Sequence, residues 1–202
     1  MSAPLRVVLF GPESSGKSTL AAALAARYCA PCSSEYVREY WDACGGVITV
    51  ADLDRIGRGQ VVGEEQAAGL AIASAKSLVF HDTDLLTCLL WNDLLFPGAC
   101  PPWVRVEAER RAQVMDLYLC CDTDMPWAPD PQRCFADPPG RANCRRVWRE
   151  ALVQRGVQWV EVSGDWARRE ARAVAAVDAL LQSEGACAGP FIAEPTRLLK
   201  SG

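Results

Sequence analysis

The chain has 202 residues, half of them hydrophobic, and a formal net charge of −4 with an isoelectric point near 5.1. This length and composition suit one buried core, and the acidic balance argues against a partner that is a nucleic acid. No apolar stretch approaches the roughly 20 residues that cross a membrane, and no signal-peptide pattern opens the chain, so we expect a cytoplasmic protein.

The first apolar run, Leu5 to Phe10, predicts a strand covered on both faces, and an alanine-rich helix from Lys17 to about Cys29 follows it. The stretch between them fits the phosphate-binding pattern G-x-x-x-x-G-K-[ST]. Glycines and a helix N-terminus at this position surround an anion with N–H groups. We therefore predict that ATP or GTP binds to Gly11, Glu13, Ser14, Ser15, Gly16, Lys17, Ser18 and Thr19.

Two residues of this P-loop have more specific expected roles. Lys17 is predicted to reach the β- and γ-phosphates, where it would act as a catalytic residue. The Ser18 hydroxyl is predicted to bind Mg²⁺, with Thr19 assisting.

The next segments are less regular. Ser33 to Trp41 mixes aromatic, β-branched and charged residues without a clear period, and we place it at the end of a short second strand. Asp52 to Ala75 predicts a long helix with Asp52 as its N-cap, although four glycines weaken the pattern. Ser77 to Phe80 predicts the third strand.

The remaining elements continue to alternate between helix and strand. In chain order we predict helices over Leu85 to Phe96 and Trp103 to Ala112, a strand over Asp116 to Cys121, a proline-rich loop over Met125 to Gly140, a helix over Arg141 to Gln154, a strand over Val157 to Val162, a helix over Asp165 to Gln182, and a loosely attached tail over residues 185–202. Such alternation predicts an α/β fold with a parallel sheet and right-handed crossovers.

Ligands of parallel sheets lie at the carboxyl ends of the strands, so acids that follow the third strand are candidate site residues. Asp82 is expected to hold Mg²⁺ or its water ligands and to take part in catalysis. Asp84 has two interpretations, a catalytic acid or the N-cap of the next helix. His81, the one histidine of the sequence, is interpreted as a residue that fills the strand end rather than as a base.

Arginines flank the proline-rich loop, where a mobile lid would close over a nucleotide. Arg133 is predicted to be catalytic, and Arg141 and Arg145 are predicted to bind the nucleotide. The alternative, for each of these and for Arg146, is the solvated basic face of a helix.

Ten cysteines lie within predicted strands and helices rather than in a short, loop-rich chain. The one C-x-x-C pattern, Cys29 to Cys32, has no second pair at zinc-finger spacing. We therefore expect mostly buried thiols and no metal site formed by cysteines.

Several motifs together resemble the ribosylnicotinamide kinase domain of the bacterial NAD-biosynthesis regulator, and their order and spacing cover most of the chain. They are Gly11-x-Glu13-Ser14-Ser15-Gly16-Lys17-Ser18-Thr19-Leu20, Glu35-Tyr36-x-Arg38-Glu39, Asp52-Leu53-x-x-Ile56-x-x-Gly59-Gln60, Asp82-Thr83-Asp84 and Pro126-Trp127-x-x-Asp130-x-x-Arg133. The resemblance implies a P-loop NTPase fold of the nucleoside and nucleotide kinase type, with strand order 2-3-1-4-5 and an arginine-bearing lid. It also implies phosphorylation of the ribose 5′-hydroxyl of nicotinamide riboside by ATP with Mg²⁺.

The acceptor would then bind near the second strand, where Glu35, Tyr36, Arg38 and Glu39 are expected to line its pocket together with Asp82 and Trp127. Glu35 is expected either to bind ribose hydroxyls or to act as the base. The alternative is a surface turn in which Glu35 and Arg38 merely pair. Tyr36, Tyr40, Trp41 and Trp127 are candidates for stacking on the nicotinamide ring, and each is equally compatible with the core.

We assign residues 1–184 to the kinase domain. Neither the adenylyltransferase nor the DNA-binding activity of the regulator is expected from this sequence. The proline-rich lid and His81 depart from the family pattern, so the substrate is less firmly implied than the reaction. The alternatives are a kinase for another nucleoside or nucleotide, and a regulatory P-loop ATPase; the oligomeric state stays open.

Overall fold

A computed structural model describes residues 3–187, and side chains up to Ser183. Five parallel strands form one sheet in the order β2-β3-β1-β4-β5, which confirms the predicted fold class and strand order. The strands are β1 (Leu5–Phe10), β2 (Cys32–Ser33), β3 (Leu78–Asp82), β4 (Leu117–Cys121) and β5 (Trp159–Val162).

Helices cover both faces of the sheet. They are α1 (Lys17–Tyr28), α2 (Tyr36–Ala43), α3 (Leu53–Ala73), α4 (Leu85–Leu95), α5 (Pro102–Ala112), α6 (Pro138–Arg155) and α7 (Trp166–Cys187), with a 3₁₀ turn at Val50–Asp52. Strand β1 shows why both faces are apolar. Its residues alternate between two buried clusters, with Val8 and Phe10 facing α4, α5 and α6, and with Val7 and Leu9 facing α1 and α7.

The stretch from Ser33 to Trp41 lies at the end of the short strand β2, as predicted, but it continues as helix α2 from Tyr36, which the prediction did not include. Tyr36, Val37 and Tyr40 pack against the core at helical spacing. Their aromatic and β-branched character, which favours strands, concealed this short helical period.

Helix α3 runs without interruption through its four glycines. At Gly59 a Cβ atom would lie 2.0 Å from the ring of Tyr36, so the absence of a side chain there lets α2 approach α3. Asp52 precedes α3 but its carboxylate does not cap that helix. It accepts hydrogen bonds from the Thr49 N–H at 2.8 Å and from the Tyr40 hydroxyl at 2.6 Å, which stabilises the 3₁₀ turn instead.

Two helices extend beyond their predicted bounds. Helix α6 begins at Pro138 instead of Arg141, because prolines suit the first turn of a helix and the Asp137 carboxylate caps it by accepting from the Gly140 N–H at 2.8 Å. Helix α7 continues to Cys187, and the rest of the predicted tail lies outside the described residues.

The cysteine prediction holds only in part. Of the nine cysteines whose side chains the structure describes, four are buried, four are exposed and one is half-buried, and all nine are free thiols. Within residues 3–187, no helix combines the length and the apolar composition that crossing a bilayer requires.

Candidate active site

The P-loop connects β1 to α1 through backbone conformations that need glycine. Gly11 has a φ of 145° and Gly16 a φ of 80°. A Cβ atom on Gly11 would lie 2.6 Å from the carbonyl oxygen of Cys121, so a larger residue would displace β4. No side chain caps the N-terminus of α1, which leaves its N–H groups available for an anion.

A cavity of about 300 Å³ lies over this loop, lined by the residues from Ser14 to Thr19 together with Arg38 and Arg133. Lys17 is buried, and its ammonium donates to the carbonyl oxygen of Pro12 at 2.9 Å. Ser18 and Thr19 are exposed in the first turn of α1. We call this space the phosphate cavity.

Asp82 ends β3 beside the P-loop, since it pairs in register with Leu9 of β1. Its carboxylate is buried, and its Oδ1 atom has no hydrogen-bond partner among the described residues. Burial raises the pKa of Asp82, whereas the charge of Lys17 and the hydroxyl of Ser18 lower it. A hydroxyl and a free carboxylate oxygen are the donors that Mg²⁺ accepts, so Ser18 and Asp82 fit the predicted metal site.

Asp84 lies at the N-terminus of α4, where its side chain caps the helix, as the second interpretation predicted. Its carboxylate accepts from the Thr87 N–H at 3.1 Å and from the Tyr118 hydroxyl at 2.7 Å, and it lines neither cavity of the site. Full burial raises the pKa of Asp84. This geometry supports a structural role rather than the catalytic one.

His81 is also remote from both cavities. The ring is fully buried in β3, with Nδ1 2.8 Å from the Ser33 hydroxyl. Burial lowers the pKa of His81 to about 3, so the ring is neutral at pH 7.

A second, larger cavity of about 410 Å³ adjoins the P-loop. We call it the acceptor cavity. Its wall is mostly apolar and aromatic, with contributions from α2, α3 and α4 that include Trp41, Leu53, Ile56, Trp91 and Phe96. Its polar lining includes Glu13, Lys17, Glu35, Arg38, Gln60 and Asn92.

Glu35 and Arg38 lie where the two cavities meet. Glu35 is buried just before α2 and accepts from the Arg38 guanidinium at 2.7 Å. Arg38 also pairs with Asp130 at 3.4 Å. Because Lys17 and Arg38 line both cavities, a group bound in one lies next to a group bound in the other.

Four of the predicted acceptor residues do not line this cavity: Tyr36, Glu39, Asp82 and Trp127. The ring of Tyr36 packs against Gly59 of α3, and the exposed carboxylate of Glu39 accepts from the Ser34 hydroxyl at 2.8 Å. Trp127 lies outside the cavity, 5.7 Å from the guanidinium of Arg133 and 5.5 Å from that of Arg141. Of the four candidate aromatic residues, Trp41 lines the cavity.

The lid arginines also separate into two groups. Arg133 lines the phosphate cavity and lies 3.4 Å from the Ser14 hydroxyl, and it also donates to the Ala128 carbonyl oxygen and lies 3.8 Å from Asp130. Arg141 donates to the carbonyl oxygens of Thr123 and Met125 instead.

Arg145 is likewise held by protein groups, since it pairs with Asp122 and lies 3.6 Å from Glu161. Neither Arg141 nor Arg145 lines the phosphate cavity. Arg133 is therefore the lid arginine whose position suits contact with a nucleotide.

Sequence reasoning missed two residues of this region. Trp91 lines the acceptor cavity, but its place in an apolar helix suggested only a core residue. Arg169 is fully buried and donates to the carbonyl oxygens of Ser15 at 2.9 Å and Asp122 at 3.0 Å, so it supports the P-loop from behind. No local pattern distinguishes Arg169 from the exposed arginines of α7.

A series of buried, hydrogen-bonded polar side chains lies behind the acceptor cavity. Gln60 accepts from the Tyr36 N–H at 3.1 Å, which places the start of α2 and with it Glu35. Glu64 lies 3.4 Å from the Gln60 amide and 2.8 Å from Arg111. Burial raises the pKa of Glu64 to about 7, although the neighbouring Arg111 opposes this.

Comparison with known proteins agrees with this geometry. The model of the AAA domain family matches residues 6–169. The trifunctional NAD biosynthesis/regulator protein NadR of Salmonella typhimurium is 27% identical over 184 residues, which cover 89% of this chain and 43% of that protein. The chain thus spans less than half the length of this relative.

Solved structures of NadR and of kinases share the fold. The complex of NadR with NR has a TM-score of 0.62 at 23% identity, covering 91% of this chain and 52% of that one. The complex of NadR with NAD and AMP-PNP has a TM-score of 0.63 at 23% identity, with coverage of 97% and 52%. Deoxyadenosine kinase from M. mycoides with bound dATP has a TM-score of 0.55 at 11% identity, with coverage of 86% and 99%.

The family model covers most of the chain, and the matches to NadR confirm the resemblance that the motifs indicated. The chain belongs to the AAA domain family, as an NadR-like P-loop protein.

Proposed function

We propose that the protein is a kinase that transfers the γ-phosphoryl group of ATP to the ribose 5′-hydroxyl of nicotinamide riboside, with nicotinamide mononucleotide as product. The observation that carries the proposal is that Lys17 and Arg38 line both cavities. A phosphate in one cavity and a hydroxyl in the other would meet at these two cations, and such positioning is the main requirement of phosphoryl transfer.

The lining of the acceptor cavity favours a nucleoside over a nucleotide as the phosphoryl acceptor. Its basic residues, Lys17 and Arg38, both lie at the end next to the P-loop, and Arg38 already pairs with Glu35 and Asp130. An acceptor that carried its own phosphate would need further cations deeper in the cavity. The rest of the lining is mostly apolar, and its neutral polar side chains suit a neutral or cationic ring. They are Gln60, Thr83, Thr87, Asn92 and Gln132.

Nicotinamide riboside carries a positively charged ring, which agrees with the chemistry of this wall. Trp41 and Trp91 offer aromatic faces, and aromatic faces attract cations within about 6 Å. Glu13 and Glu35 add carboxylates to the same lining. The NadR complex with NR, whose fold this chain shares, supports the same acceptor.

In this proposal each polar residue of the two cavities has a role in the transfer. The 5′-oxygen attacks the γ-phosphorus, the bond to the ADP oxygen breaks, and the hydroxyl proton passes to a carboxylate, for which Glu35 lies on the acceptor side. Lys17 and Arg133 stabilise the charge of the transferring group. Ser18 and Asp82 would hold Mg²⁺, which when bound neutralises phosphate charge.

The test is a panel of purified nucleosides with ATP and Mg²⁺, read as ADP release and as phosphorylated product. We expect nicotinamide riboside to give the highest kcat/KM. A protein that releases ADP at the same slow rate with and without every nucleoside would contradict the proposal and favour a regulatory P-loop ATPase.

A kinase for another nucleoside is the second candidate. One finding favours it: the fold matches deoxyadenosine kinase over 99% of that chain. The same panel decides between the two, because a purine or pyrimidine nucleoside with a higher kcat/KM than nicotinamide riboside would replace the acceptor and keep the reaction.

A further inference from the structure

The loop between β4 and α6 forms part of the acceptor cavity. Pro131, Gln132 and Cys134 of this loop line the cavity. Phe135, the next residue, stacks on the cavity residue Trp91, with ring centroids 6.2 Å apart and planes 8° apart. We call residues 131–135 the wall segment, because an acceptor in the cavity would be enclosed by them.

A P-loop side chain holds this segment in place. The Glu13 carboxylate accepts from the Cys134 N–H at 2.9 Å and from the Phe135 N–H at 2.6 Å. Glu13 lines the acceptor cavity but not the phosphate cavity, although it belongs to the phosphate-binding motif. Its side chain therefore serves the acceptor side of the site.

A second charged contact fixes the other end of the segment. Asp130, which precedes it, pairs with Arg38 at 3.4 Å and accepts from the Gln132 N–H at 2.9 Å. The wall segment is thus tied both to the P-loop and to α2.

We propose that Glu13 is a positioning residue that holds the wall segment against the acceptor cavity, and that it couples acceptor affinity to nucleotide binding. The proposal rests on the proposed function, since it takes the acceptor to be a nucleoside. Hydrogen bonds to a carboxylate are stronger than those between neutral groups, so Glu13 fixes two backbone N–H groups firmly. A nucleotide that orders the P-loop then also orders the wall, and the two substrates bind cooperatively.

The experiment compares Glu13→Gln with wild type. Glutamine keeps the size but removes the charge and leaves a single acceptor oxygen for two N–H groups. We expect the KM for nicotinamide riboside to rise about tenfold, the ratio that matches loss of one charge-assisted hydrogen bond, while the KM for ATP stays within about twofold. The matched control is Glu109→Gln, an exposed glutamate of α5 that pairs with Arg155.

Amide hydrogen exchange gives a readout that does not depend on catalysis. Exchange at Cys134 and Phe135 should be faster in Glu13→Gln than in wild type and unchanged in the Glu109→Gln control. AMP-PNP should slow exchange at these amides in wild type but not in Glu13→Gln.

A second variant tests the wall from the other side. Asp130→Asn keeps the P-loop sequence and weakens the charged contacts of Asp130 with Arg38 at 3.4 Å and with Arg133 at 3.8 Å, and it should also raise the KM for the nucleoside more than that for ATP. If Glu13→Gln does not fold, wild type decides the matter: AMP-PNP should slow exchange at Cys134 and Phe135, and unchanged exchange would overturn the coupling.

Two results would overturn the proposal: unchanged exchange at Cys134 and Phe135 in Glu13→Gln, or equal increases of both KM values in the two variants. If the wild-type protein phosphorylates no nucleoside, the proposed function fails on its own. The effect of AMP-PNP on exchange then still decides whether Glu13 links the P-loop to the wall segment.

Discussion

The two cavities of this protein are built in opposite ways. Six consecutive residues, from Ser14 to Thr19, provide most of the phosphate cavity, with Arg38 and Arg133 added from elsewhere. The acceptor cavity takes its lining from the P-loop, α2, α3, α4 and the wall segment, which are far apart in sequence. A phosphate binds to backbone N–H groups that one loop can present, whereas a ring and a ribose need a shaped enclosure from several elements.

The largest effect should come from Lys17, one of the two residues that line both cavities. Lys17→Ala is expected to lower turnover on the order of a hundredfold or more, because it removes a cation from the transferring phosphoryl group. Among the described residues the Lys17 ammonium donates to the Pro12 carbonyl oxygen and its charge acts on Asp82, so thermal unfolding is measured to check that the variant is folded. Near-normal turnover in a folded variant would remove Lys17 from the mechanism.

The next largest effect is expected on the phosphate side of the site. Asp82→Asn keeps the size of the side chain and removes the charge beside Ser18, so turnover should fall on the order of tenfold or more and the Mg²⁺ concentration for half-maximal rate should rise. A Mg²⁺ titration checks this. An unchanged Mg²⁺ requirement would exclude Asp82 as the metal ligand.

A smaller effect, confined to the acceptor side, is expected from Glu35→Gln. If Glu35 only binds the ribose, the KM for nicotinamide riboside should rise about tenfold with turnover kept; if it is the base, turnover itself should drop. Steady-state kinetics with each substrate varied in turn separate these cases, and ATP affinity should hold in both. Unchanged constants for every nucleoside would place the acceptor elsewhere.

The last prediction concerns stability rather than rate, and it involves the buried His81 of β3. Burial keeps the pKa of His81 near 3 in the folded protein, whereas the ordinary histidine value of 6.5 applies in the unfolded chain, so the unfolded state takes up a proton first as the pH falls. His81 therefore lowers stability progressively between pH 6.5 and 3, by about 1.4 kcal/mol per pH unit well below 6.5.

Urea unfolding of wild type and His81→Leu at pH 7.5 and pH 5 checks this prediction. The loss of stability between the two pH values should be smaller in the variant. Equal losses would mean that other groups account for the acid sensitivity.

Sequence reasoning succeeded where a pattern is local or periodic. The P-loop, the alternation of strands and helices, and the strand order implied by the resemblance all agree with the structure. It failed at α2, where Tyr36, Val37 and Tyr40 have strand-forming character but helical spacing, and at α6, where prolines that suggested a loop form the first helical turn.

The sequence by itself determined which loop would bind phosphate, because contiguous backbone geometry at Gly11 and Gly16 decides that property. Only the tertiary structure decided the other half of the site. It placed Trp91 in the acceptor cavity, Asp84 in a helix cap, and the Glu13 side chain against the wall segment more than 120 residues away in the chain. A side chain's role depends on what packs beside it, and packing between distant elements has no signature in local spacing.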